Sequence, residues 1–213
     1  TMDVVMNFKP QTLRDYYEKW YRPDLQGIVV VGDIDVDAVE VQIKKLFADV
    51  PAQPNAAKRE YYPVNDNKEP IVLIARDKEQ PHIQAIVFNK HKATPDSEKD
   101  KIGYLVENYA TNLIGNMLNA RLNELLQEAN PPYIYAGSYD GDFFVAKTKQ
   151  AFTGIVVCKE DAVESGIATL LREMERARRF GFTESEYQRA RAEYLRNLES
   201  ASKQRDKRTN DEY

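Results

Sequence analysis

Between residues 51 and 70 the chain places Pro51, Pro54, Pro63 and Pro70 among Asn, Lys, Glu and Asp residues. Each proline removes a backbone donor and pushes the residue before it toward extended geometry, so this stretch suits an extended linker better than a packed helix. The chain is thereby split. Residues 1–50 and 71–213 are expected to fold as separate parts on either side of residues 51–70.

Upstream of the linker, Pro10 followed by Leu13, Tyr16, Tyr17 and Trp20 predicts a short amphipathic helix with proline in its first turn. Gly27–Gly32 is β-branched and apolar on both faces, as a buried strand would be. Asp33 and Asp35 then offer N-cap oxygens to a helix through Val36, Val39, Ile43, Leu46 and Phe47. Beyond the linker, Ile71–Ala75 and His82–Phe88 predict two strands, most simply paired with each other. A helical pattern runs from Ile102 to Leu126, as one helix or as two broken at Gly115. Apolar or alternating runs at 134–137, 143–148 and 152–158 suit an antiparallel meander, with Asp140-Gly141 as its stronger turn. Two helices follow, one ending near Gly181 and one opening at a capping box, Thr183 with Glu186. Strands followed by helices, without strict alternation, predict an α+β fold with helices on one face of an antiparallel sheet.

The same residues exclude several functions. A net charge of -4 lacks the basic excess that phosphate contacts demand, so nucleic acid is not an expected partner. No apolar run approaches the roughly 20 residues of a membrane helix, so no membrane insertion is expected of this segment. Cys158 is the single cysteine, which rules out an internal disulfide and a multi-cysteine zinc site while leaving the compartment open. His82 and His91 are the two histidines, and neither His-Glu-x-x-His nor His-x-x-Glu-His occurs. No metal ligand and no catalytic residue is therefore assigned to this segment; His82 reads as structural or solvent-facing, His91 as solvated, and Cys158 as buried filler. The turn at Gly32-Asp33-Ile34-Asp35 lacks the glycine fingerprint of a nucleotide site, and its aspartates read as caps. The first residues, Thr1–Phe8, carry no targeting pattern and read as a position inside a longer protein.

Tyr133, Tyr135 and Tyr139 alternate with smaller residues on a predicted strand, so all three are expected on one face. An open face would suit an extended peptide and a covered one is ordinary core; periodicity alone favours core. The charges of the last two helices are interleaved in sign, as on a solvated face.

Leu13–Asp24 with its Tyr21-Arg22-Pro23, Val29–Asp35 with its Val31-Gly32-Asp33, and Ile43–Phe47 together resemble the signature of the insulinase/pitrilysin family of zinc metallopeptidases, to which mitochondrial processing peptidase belongs. Met117–Leu126 followed by Pro132-Tyr133 resembles a second block of that family, in the same order. The resemblance implies homologous α+β domains that enclose a chamber in which zinc-bound water attacks a peptide bond. It implies that residues 1–50 end the first peptidase-like domain, whose zinc motif lies upstream, and that 71–213 is most of a second, non-catalytic domain contributing chamber wall and peptide-contact surface. Zinc would be a cofactor of the full-length enzyme with ligands outside this segment, and the partners would be peptide substrate and other domains of the same polypeptide. Tyr133 matches a tyrosine that holds substrate in some members; the arginine that often precedes it by seven positions is replaced by Leu126, and Arg121 is out of register. The rival reading is a protease-derived scaffold or interaction protein without catalytic activity.

Overall fold

The structure, a computed structural model, describes residues 1–207 and Thr209. The chain divides into two compact units, one made of Thr1–Glu60 with the described residues after Lys203, the other of Tyr61–Lys203.

The first unit contains helices α1 (Met2–Asn7), α2 (Pro10–Trp20) and α3 (Val36–Leu46). Helix α2 starts with Pro10 in its first turn, and α3 is capped by Asp35, whose carboxylate accepts from the Ala38 N–H at 3.0 Å. None of these helices buries a residue. Arg22 is the buried group here: its guanidinium donates to the Lys19 and Ala57 carbonyls and lies 2.9 Å from Asp24. Gly27–Gly32 is not a strand; it runs without a ladder and exposed to solvent. Its composition is that of a buried strand, but a strand exists through its backbone partner, and none is present among the described residues.

The second unit is built from β1 (Ile83–Lys92), α4 (Ile102–Leu125), β2 (Tyr135–Asp142), β3 (Lys149–Cys158), α5 (Val163–Phe180) and α6 (Glu184–Gln204). The three strands form an antiparallel sheet in the order β1-β3-β2, and the fold is α+β. Ala85, Val87, Ala136, Phe152, Val156 and Cys158 point to one face, where Leu118, Leu122 and Leu170 of α4 and α5 close the core. Complete burial of a leucine of this kind contributes about 1.5–3 kcal/mol. Gly154 lets α5 approach: a Cβ there would stand 2.6 Å from the Met174 sulfur. Helix α6 adds a smaller cluster in which Ala190 meets Leu113 and Met117, and Tyr109 and Tyr194 stack edge to face at 5.2 Å. Helix α4 runs unbroken through Gly115, which is buried near the Ser138 carbonyl.

Three local expectations change. Ile71–Ala75 forms no strand and does not pair with β1; Leu73 is 88 % exposed, and β1 pairs with β3 instead. Asp140-Gly141 is not a turn but lies within β2, where the Asp140 carboxylate meets His91 Nε2 at 2.8 Å; His91 is thus hydrogen-bonded to a carboxylate as well as solvated. The run 143–148, expected as a strand, is the reversal itself, where the Phe143 N–H donates to the Lys149 carbonyl and the Ala146 N–H to the Phe143 carbonyl. Phe144 takes a left-handed φ of 53° there. The aromatic contacts of Phe88, Phe143 and Phe144, with ring centroids 4.8–5.2 Å apart, outweigh the local Asp-Gly preference.

One residue on the outer edge of β2 is satisfied by a side chain. Asn119 of α4 donates its amide N–H to the Ser138 carbonyl at 3.0 Å and accepts from the Ser138 N–H at 2.6 Å, as a neighbouring strand would.

Candidate functional site

Since Phe152, Gly154, Val156 and Cys158 face the helices, the alternate residues of the sheet form a second, helix-free face. The register sets it out in rows: Gln84, Val157 and Tyr135; Ile86, Ile155 and Gly137; Phe88, Thr153 and Tyr139; Lys90, Ala151 and Gly141. Tyr135 and Tyr139 are 53 % and 51 % exposed, and Ile86 is also exposed. Gly137 leaves a shallow place between the tyrosines. The Tyr135 phenol lies across it, so that a Cβ at 137 would meet the Tyr135 hydroxyl at 2.6 Å.

One end of this face is aromatic and basic. Lys90 Nζ lies 5.7 Å from the Phe143 ring centroid and donates to the Asn65 carbonyl at 2.7 Å. Lys149, buried at the start of β3, pairs with Asp66 at 2.8 Å, and its ammonium holds the Asp66 carboxyl below its usual range. Thr148 donates to the Tyr62 carbonyl at 2.9 Å. These three contacts fasten residues 62–66 to the sheet.

Tyr133 does not share the face of Tyr135 and Tyr139. Strand β2 begins at Tyr135, and the Ile134 N–H donates to the Val157 carbonyl although Val157 already stands opposite Tyr135. Two residues against one partner, as at a β-bulge, break the alternation and turn Tyr133 inward. It is fully buried in the core, and its hydroxyl donates to the Leu122 carbonyl at 2.6 Å. Burial, reinforced by Glu173, pushes its phenol up to about 12.

Arg121, out of register for a substrate pair, has other partners. Its guanidinium holds Glu186 through two nitrogens, at 2.5 and 2.9 Å, donates to the Gly181 carbonyl at 3.1 Å, and lies over the Phe182 ring at 4.5 Å. Helix α4 thereby grips the α5–α6 turn. Glu186 also accepts from the Thr183 N–H and hydroxyl, completing the capping box, and these bonds, Arg121 first, hold its carboxyl down at about 2. The capping box is visible in sequence; the arginine behind it has no local signal, lying 65 positions from Glu186. A cavity of about 210 Å³ beside this grip is lined by Met117, Arg121, Glu124, Glu186, Arg189 and Glu193, carrying both signs of charge.

A zinc ion does not fit the donors present. Among the described residues no three His, Cys, Asp or Glu side chains converge. His91 is engaged by Asp140, His82 is exposed, and Cys158 is buried with its thiol pushed up by desolvation.

The chain matches the family described as the Peptidase M16 inactive domain over residues 7–194. It is 25 % identical over 207 residues to the probable zinc protease PqqL of Escherichia coli K12, an alignment that spans 97 % of this chain and 22 % of that protein. The chain thus covers about a fifth of that relative's length. The crystal structure of the periplasmic protease PqqL from Escherichia coli superposes with a TM-score of 0.80 at 22 % identity, over 99 % of this chain and 23 % of that one. A predicted insulinase family protease from Yersinia pestis gives a TM-score of 0.73 at 17 % identity, over 94 % and 42 %.

Proposed function

Because the chain belongs to the Peptidase M16 family through its inactive domain, we propose that it is the non-catalytic segment of a longer zinc-dependent peptidase. In this reading residues 1–50 end the zinc-bearing domain, 51–70 link, and 71–213 form the second domain. Zinc and the reacting water belong to other segments, and this one supplies chamber wall and peptide-contact surface. The observation that carries the contact role is the helix-free sheet face, where Tyr135 and Tyr139 stay half exposed beside Ile86, Phe88, Ile155 and Val157. Tyrosines held on a strand offer broad amphipathic contact with little rotamer entropy to lose, which suits polypeptide substrates of varied sequence.

The test is the pair Tyr135→Ala and Tyr139→Ala in the full-length protein. Peptide affinity should fall about tenfold, equivalent to about 1.4 kcal/mol, with thermal stability nearly unchanged because both rings are half in solvent. Unchanged affinity would remove this face from the substrate path. A direct hydrogen bond from Tyr133 to substrate is a separate proposal, since its hydroxyl would have to leave the Leu122 carbonyl.

A further inference from the structure

On the face that the preceding reading assigns to peptide contact, charge is distributed unevenly. Toward the 143–148 hairpin the apolar rows give way to Lys90 and, one row further, to Lys92, which stands opposite Lys149. Asp66 neutralises Lys149. Lys90 and Lys92 form no ion pair among the described residues; Lys90 spends one of its three donors on a neutral carbonyl, and Lys92 is exposed. The nearest strand carboxylates, Asp140 and Asp142, lie at alternate positions of β2 and project to the opposite face, where Asp140 holds His91. Asp66 also acts on Lys90, so three lysines share one carboxylate and this end of the track stays net basic, in a chain whose net charge is -4. The hairpin beside them exposes Phe144 and Val145, the latter by 95 %.

We infer that this face selects an extended polypeptide segment with apolar side chains at alternate positions and an acidic side chain at the end that meets Lys90 and Lys92. The two-residue repeat of a strand would set the apolar residues of such a segment over Ile86, Tyr135 and Tyr139. The carboxylate would then reach the lysine end, with Phe143 and Phe144 beside it excluding water and strengthening the attraction.

The test uses the full-length protein and two fluorescein-labelled peptides of about a dozen residues, alike in alternating Phe and Thr but ending in Asp or in Lys. Anisotropy at low ionic strength should show the Asp-ended peptide binding about tenfold more tightly, the preference fading as salt shortens the Debye length. Lys90→Glu with Lys92→Glu should reverse the order. Equal affinities for the two peptides, with Tyr135→Ala and Tyr139→Ala still weakening both, would overturn the acidic preference and leave the contact face standing. No binding of either peptide would overturn both, the face then being covered by another domain or a second copy.

Discussion

The Tyr133 hydroxyl links the segment before β2 to the carbonyl of Leu122 in α4, and its removal has a definite size. Tyr133→Phe keeps the ring, leaves the Leu122 carbonyl short of a donor, and should cost about 0.5–1.5 kcal/mol. A lower Tm with unchanged peptide affinity is the expected result; weakened affinity at constant Tm would instead put the hydroxyl on substrate. Simple alternation put Tyr133 beside Tyr135, because nothing in the residue types announces that Ile134 and Tyr135 share Val157. The bulge is a backbone event, and it alone decides which tyrosines belong to the core.

At the scale of elements, the α5–α6 turn depends on a charge. Glu186 has a folded pKa of about 2 against its ordinary 4.5, so the stability it contributes is complete above about pH 4.5 and is lost as pH falls toward 2. Glu186→Gln should therefore lower Tm at pH 7, by the equivalent of about 1.5–3 kcal/mol, and the gap to the unsubstituted protein should close through that acid window. Comparing the two Tm profiles isolates this group from Asp66 and Glu175, which are also held low. A gap constant from pH 7 to 2 would refute the assignment. The helices were legible because their signals are local: Pro10 at α2, Asp35 at α3, Gly181 after α5 and Thr183 with Glu186 at α6. The Asp140-Gly141 signal failed because His91 and the Phe88 cluster act on it from other elements.

For the whole molecule, the proline-rich stretch was readable as a break, but its halves differ. Residues 62–66, though mostly exposed, are fastened by Lys90, Thr148 and Lys149, and Ala57 is held by Arg22, whereas residues 51–56 are mostly exposed without such a tether among the described contacts. Limited proteolysis with a broad-specificity protease should cut first within 51–56, read by mass spectrometry of the early fragments; first cuts within 61–70 would show that the tethers do not protect. The candidate face was legible in its tyrosines but not in its lysines, because Lys90 and Lys92 read as ordinary strand-end charges until the register aligns them with Lys149. Gly27–Gly32 and Ile71–Ala75 read as strands from composition and are not strands in the structure, since pairing is a property of two segments and composition describes one. The amide of Asn119 bears on the same question. With Ser138 of β2 taken by that amide and β1 paired on one side only, the two margins of the sheet are unequal: a strand pairing along β2 would have to displace Asn119, and one pairing along β1 would not. A single asparagine thus biases where a three-stranded sheet can be extended, as a partly blocked end does for a polymer.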